Sequence, residues 1–395
     1  MPVTQLGGIG IACECPGAGR RVWSRNLLET GTAMRARSCF LSGVWACCGL
    51  IGPAHAAVYC VTNGDQLQAA LTDAEASAEN DEVRLVRGTY VANRAFRYSS
   101  SNPGWIYVIG GYDSGCASRG LNAISTVLDG SVQHQVLTMA YVVQGPAAAA
   151  PRIAVENLTV QNGLASGFLR GGGIALASLA TGNAQAELWL DNVIVRYNSG
   201  YFGGGADLYA ARGLIRVVNS LFDGNSAPTS AFGHLSAIVT ATQAFNGSGV
   251  IVANSTFVNG ACASQSGRGC GINLSLPTGI RGDILNSVFF NNATSDVNIE
   301  GGGTAFIDYS LVGVVTGDLA PTITNAITGD PGFVDAPAGN FRLRDDSVLI
   351  NRGRGVPPFD GFNNFDLDGN PRVRSAILDV GAYENQNFVF GNGFE

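Results

Sequence analysis

The chain has 395 residues, 46% hydrophobic and 13% charged, and its net charge of −7 argues against nucleic acid as a partner, which needs clustered Lys and Arg. All 23 basic residues are Arg, which excludes both a Walker-type phosphate loop and a Schiff-base lysine. With 54 glycines, the composition is that of a turn-dense, strand-rich chain.

The first feature in chain order begins at Met34. MRARSCFLSGVWACCGLIGPAHA has a basic start (Arg35, Arg37), an apolar run from Cys39 to Ile51, and small residues at Ala54 and Ala56. That is the layout of a secretory signal peptide over residues 34–56. Residues 1–33 have no comparable pattern and read as an extension from a start codon assigned too far upstream.

Cysteine usage agrees with export. Five of nine cysteines lie at or before Cys48, leaving Cys60, Cys116, Cys262 and Cys270. Four cysteines allow three pairings, and the close spacing in CASQSGRGC favours Cys262 with Cys270, leaving Cys60 for Cys116. Zinc is disfavoured, because there is no CxxC and only His134 and His234 remain in the mature chain. No later segment is long and apolar enough to span a bilayer.

Asp65-Gln66-Leu67-Gln68 predicts a helix start, with Asp65 as N-cap and Gln68 reciprocating three residues on. Leu67, Ala70, Leu71 and Ala74 follow at helical spacing. Such a helix would plug the end of the repeats that come next.

Five stretches share one pattern: IAVENLTVQN from Ile153, LWLDNVIVRYN from Leu188, IRVVNSLFDGN from Ile215, VIVANSTFVN from Val250 and GDILNSVFFNN from Gly282. Their first Asn falls at 157, 192, 219, 254 and 286, in steps of 35, 27, 35 and 32 residues. A second element recurs between them: GGGIAL from Gly171, GGGADL from Gly203, SAIVT from Ser236 and GCGINL from Gly269. Strand repeats of this period, without helical periodicity between them, predict an all-β solenoid, the parallel β-helix, of about nine turns. Recurring Asn would form a hydrogen-bonded ladder from coil to coil. The triple glycines would serve corners, through positive φ or close backbone approach, rather than cradle a phosphate.

The repeats place chemistry-bearing residues in columns. Glu156 and Asp191 each precede a ladder Asn, so they should stack as neighbours, with Arg196 a few residues on; the column continues as Val218, Ala253 and Leu285. Asp207, Asn273 and Asn298 share another column after the glycine corner. These are the candidate catalytic residues, Glu156, Asp191 and Asp207 above all, and solvation of the outer face is the competing account. Three or more convergent carboxylates would favour catalysis, whereas exposed aromatics along one face, such as Tyr197 and Tyr201, would favour sugar binding.

Residues 330–384 break the rhythm and should form a loop-rich C-terminal cover. Within them DGFNNFDLDGN holds Asp360, Asp366, Asp368 and Asn370, which resembles half of an EF-hand loop. Pro371 and Ile377 stand where that loop needs Gly and Glu, so the alternatives are an irregular calcium loop or a cluster of Asx-turns.

GGYDSGCASR (110–119), TVLDG (126–130) and the NS-x-F turns with GGG corners together resemble the right-handed parallel β-helix repeat proteins secreted by bacteria, including adhesins like the polymorphic outer-membrane proteins. GDPGFVDAPAGNFRLRDDSVLINRG (329–353) and DLDGNPRVRSAILDVGAYE (366–384) resemble the choice-of-anchor Q region that follows such β-helices. The final FVFGNGFE is similar to a short tail on some exported Gram-negative proteins, although residues 385–395 lack an apolar span and a basic end. The resemblance implies a β-helix over 57–328, a choice-of-anchor region over 329–384, and export to the cell surface or medium. It implies adhesion, glycan binding or a structural role without a shared reaction, and no cofactor unless calcium is bound. The rival expectation is a polysaccharide lyase or glycoside hydrolase, since many parallel β-helices degrade polysaccharides.

Overall fold

The computed structural model describes residues 56–142, 150–179, 185–240, 249–263, 268–354, 364–373 and 377–387. The expected upstream extension, the signal peptide as far as His55, Asp360 and the last eight residues lie outside the described residues.

Ten parallel strands stack along the main path of the larger sheet: Val58–Val61, Asp81–Val86, Ile106–Tyr112, Arg152–Gln161, Glu187–Arg196, Leu214–Val218, Gly249–Ala253, Arg281–Leu285, Thr304–Asp308 and Thr322–Thr324. A second sheet of eight strands runs beside it from Phe96–Ser100 to Val315–Thr316. The chain alternates between the two, and strands within each sheet stack in sequence order. This is a parallel β-helix. Leu188 pairs with Ile153 and Ile215, Ile215 with Val250, and Val250 with Gly282. Those pairings reproduce the unequal steps of the repeat.

Alternate residues point inward, and Ile153, Leu188, Ile215 and Val250 from one sheet meet Ile174, Leu208, Leu235 and Ile272 from the other in one continuous core. Each such side chain, fully buried, contributes about 1.5–3 kcal/mol. Phe222, Phe257 and Phe289 stack on successive coils with ring centroids 4.7 and 4.9 Å apart.

The ladder Asn has two functions. Asn157, Asn192, Asn219, Asn254 and Asn286 all have φ between +48° and +56°, the left-handed region that Asn tolerates better than other side chains. Their amides also bond between coils, from Asn192 Nδ2 to Asn157 Oδ1 (2.8 Å) and from Asn286 Nδ2 to Asn254 Oδ1 (3.1 Å). From Asn219 onward the next residue builds a serine ladder. Ser255 Oγ accepts from Ser220 N (3.2 Å) and donates to Ala253 O (2.8 Å), and Ser287 and Ser310 repeat the arrangement.

The glycine triplets are corners, as expected. Gly203 has φ +56°, and a Cβ on Gly204 would sit 1.8 Å from the Ser226 carbonyl oxygen. Nothing larger than hydrogen fits between these coils.

A helix over Gly64–Glu75 covers the N-terminal end and buries Leu67, Ala70, Leu71 and Ala74. Its N-cap is Asn63 rather than Asp65: Asn63 Oδ1 accepts from Gln66 N (3.0 Å), and Gln66 Oε1 accepts from Thr62 N (2.8 Å). Both motifs carry a side-chain acceptor with Gln three residues on, and the earlier one lies closer to the end of the preceding strand. The helix also shields an open sheet edge. Gln68 bonds both the N–H and the carbonyl of Arg97, and Glu75 Oε1 accepts from Ser99 N.

The bridges Cys60–Cys116 and Cys262–Cys270 both form. The loop-rich C-terminal segment is indeed a cover, but a lateral one. Phe333, Phe341, Leu343, Leu349, Leu367 and Val380 pack on Ile194, Leu221, Val258 and Val288 along the flank of the coils, while Thr322–Thr324 at the last rung is exposed. That flank presents outward apolar residues on four successive coils, so burying it outweighs covering one terminal rung.

Candidate functional site

Glu156 and Asp191 are direct neighbours in register, and their column continues through Val218, Ala253 and Leu285 as expected, then reaches Asp308. The carboxylates in it are engaged by arginines. Arg119 lies 3.3 Å from Glu156, and Arg216 lies 3.6 Å from Asp191. Arg152 is held between the rings of Trp105 (4.3 Å) and Trp189 (3.5 Å), and Arg216 also lies over Trp189 (4.5 Å). The outer face of the larger sheet is thus a surface of arginine interleaved with tryptophan.

Arg196 does not join these carboxylates. It donates to Gln161 Oε1 at 2.9 and 2.7 Å. The left-handed turn at Asn192 lies between Asp191 and Arg196 and redirects the strand, so the two residues leave the sheet on different sides of that bend.

Asp207 lies in the second sheet, away from the other two. Its column, Asp207–Ser236–Asn273–Asn298, forms as expected, and Asn298 donates to Asn273 (2.8 Å) while Thr316 donates to Asn298 (3.1 Å). Asp207 is 6% exposed and pairs with Arg170 at 3.0 Å. Burial pushes its carboxyl up to about 6, against the pull of Arg170 and Ser236. A buried acid with a raised pKa is a functional candidate, but here it belongs to a side-chain ladder. Glu156 and Asp191 therefore stack together, and Asp207 converges with neither.

The two singled-out tyrosines separate as well. Tyr201 belongs to an aromatic cluster with Phe168 (5.1 Å) and Phe202 (4.6 Å), which continues to Phe232 (5.9 Å from Phe202). Phe168 is 83% exposed, an outlying ring with an apolar face turned to solvent. Tyr197 occupies a different corner, beside Asp223 and Gly224.

Two groups escaped the sequence argument. A cavity of about 170 Å³ is lined by Arg281, Asp283, Phe306, Asp308, Thr324 and Arg354. Arg281 pairs with Asp283 (2.6 Å), and Thr324 Oγ1 donates to Asp308 (2.6 Å). The signal was FIDYSL (306–311), a sixth copy of the repeat with Tyr309 where the ladder Asn stands. The second group is a buried polar row, in which Asn198 donates to Asn225, Asn225 to His234, and His234 to Asn292.

Of the calcium candidates, Asp366 Oδ1 accepts from the backbone of Asp368 (3.1 Å) and Asn370 (2.7 Å), and its Oδ2 accepts from Glu384 (3.0 Å). Asp368 takes both arms of Arg342 at 2.6 Å. This is the Asx-turn geometry. Among the described residues no group of three or more His, Cys, Asp or Glu is placed to hold a metal ion, and no helix is long and apolar enough to cross a membrane.

No family model and no curated protein matches this sequence. Among solved structures, the crystal structure of pectate lyase Pel9A matches at 14% identity and a TM-score of 0.37, covering 80% of this chain and 90% of that one.

Proposed function

We propose that the protein is an exported, non-catalytic β-helix of the cell surface or extracellular medium that binds glycans, with residues 329–384 acting as the choice-of-anchor-like region their sequence resembles. One observation carries this: Glu156, Asp191 and Asp207 are each held by an arginine, and they do not converge on one cleft. A glycosidase needs two carboxyl groups flanking one bond, and a lyase needs a free base beside its substrate. The exposed ring of Phe168 beside Tyr201 supports binding, because an apolar ring face complements the apolar face of a sugar. The two disulfides accord with an oxidising compartment. On this reading no cofactor is required.

The second reading, a polysaccharide lyase or hydrolase, draws on the cavity shared by Asp283, Asp308, Arg281 and Arg354. One experiment separates the two. The exported chain is incubated with acidic and neutral polysaccharides, with and without calcium, and new reducing ends and unsaturated products are followed alongside retention of intact protein. Retention without cleavage is the expected result. Cleavage that disappears in Asp308→Asn would establish the second reading instead.

A further inference from the structure

Two adjoining cavities of about 360 and 330 Å³ lie on the flank of the coils and share Phe290 and Asn291 in their walls. They follow consecutive rungs, because Arg196 pairs with Asp223, Asp223 with Val258, Val258 with Phe290, Val288 with Leu311, and Leu311 with Ile327. Five steps of about 4.8 Å make a groove roughly 24 Å long, running along the stack. Length in this direction suits a polymer better than a small molecule.

The chemistry of the walls narrows the class. On the coil side, Asn291 donates to Asn259 (2.8 Å) and Asn259 to Asp223 (2.8 Å), a row of amides with a carboxylate at its end. Phe290 and Tyr197 add rings, and the C-terminal segment closes the first cavity with Phe341 and the turn at Ala336–Gly339. The charged lining residues, Asp223 and Asp296, are both acidic. Such walls offer hydrogen bonds to hydroxyls and ring faces to apolar patches, and they repel an anionic chain.

Tyr197 supplies an independent sign. It has φ +55° at a corner where the stacked neighbours with positive φ are Asn162, Gly224, Asn259 and Asn291. A bulky side chain in that region is strained, and such strain persists where something else is gained. Phe232, Tyr309 and Val132 share the conformation; Phe232 is 3% exposed and stacked, Tyr309 packs in an apolar cluster, and Val132, 65% exposed in a turn, lines neither cavity. Tyr197 is 53% exposed. Packing compensates Phe232 and Tyr309; Tyr197 lies over Gly224 with its hydroxyl towards Asp223, and its ring stands at the mouth of the groove.

We propose that this groove binds a neutral polysaccharide chain lying along the coil stack, with Tyr197 as a stacking platform and the Asp223–Asn259–Asn291 row reading its hydroxyls. The proposal deepens the glycan-binding function above and rests on it. The test uses the exported chain on immobilised neutral gluco-, manno-, galacto- and xylo-oligosaccharides, with oligouronates of equal length as the acidic arm. Tyr197→Asn should weaken retention on a neutral glycan by roughly tenfold. It should leave the thermal midpoint unchanged or raise it, because Asn suits the left-handed corner. Tyr197→Phe should keep retention. Loss of stability in Tyr197→Asn with retention intact would overturn the groove alone, as would retention confined to the uronates. No retention of any sugar by the unaltered protein would overturn the groove and the glycan-binding function together.

Discussion

His234 is fully buried, with Nε2 donating to Asn292 Oδ1 at 2.9 Å and Nδ1 accepting from Asn225 Nδ2 at 3.1 Å. The polar row passes through Asn198, Asn225 and Asn292 on their own coils, but the intervening coil has Gly260. A Cβ there would come within 2.8 Å of the imidazole. The histidine ring thus fills the gap that a missing asparagine leaves. Both ring nitrogens are committed to the neutral form, and burial pushes the pKa down to about 4. The unfolded chain titrates near 6.5, so the unfolded state binds the extra proton first. Stability is full above pH 6.5 and is lost as pH falls through about 4, by roughly 3 kcal/mol. Denaturant melts of the native chain and His234→Gln between pH 7 and pH 4 check this, and the pH-dependent loss should be much smaller in the variant. His234 was visible in the sequence as an isolated histidine only, because its partners lie 9 and 58 residues away.

At the scale of an element, the C-terminal segment is tied to the coils by Arg372. Its Nε donates to Asn219 Oδ1 (3.0 Å), and its other nitrogens reach the carbonyls of Gly381 and Ala382 (both 2.9 Å) and of Asn254 (3.4 Å). The guanidinium enters the asparagine ladder between Asn192 and Asn254, where Asn219 would otherwise continue it. Arg372→Met should cost about 3–5 kcal/mol, the cost of breaking a buried charged network from one side. Hydrogen exchange should show residues 329–387 opening before the sheets do. Glu384 adds a pH dependence to the same docking. Burial, with Asp379 adding to it, pushes its carboxyl up to about 8. A raised acid contributes stability below its unfolded pKa near 4.5 and loses it as pH rises through 8. Proteolytic release of the segment should therefore quicken from pH 6 to pH 9, and less so in Glu384→Gln. The sequence resemblance marked this region as distinct from the repeats, yet it could not say which surface the region covers. Nothing in a local pattern encodes a contact between residues 219 and 372.

For the whole molecule, a solenoid of this kind is stabilised by contacts between neighbouring coils, so its ends are where opening begins. Cys60–Cys116 ties the first strand, Val58–Val61, to the loop after Ile106–Tyr112, closing a separation of 56 residues. Replacing both cysteines by serine should cost about 2–5 kcal/mol. The loss should appear in hydrogen exchange as fraying confined to the N-terminal coils, with Phe222, Phe257 and Phe289 still protected. Uniform loss of protection would mean that the coils unfold as one unit.

The repeat itself was legible because stacking is a local rule applied many times. A corner that needs a left-handed residue leaves an Asn every 27 to 35 residues, with a serine after it and an inward Phe in three of the five copies, and those letters alone determined the register, the two columns and the fold. The close spacing of the last two cysteines favoured the pairing that forms. The tertiary structure decided whatever crosses between unlike parts of the chain: that Asp207 is on another sheet from Asp191, that the C-terminal segment lies on the flank, and that a groove opens between that segment and Tyr197. Repetition marks a sequence with a period, whereas a contact made once, between residues far apart along the chain, exists only when packing brings them together.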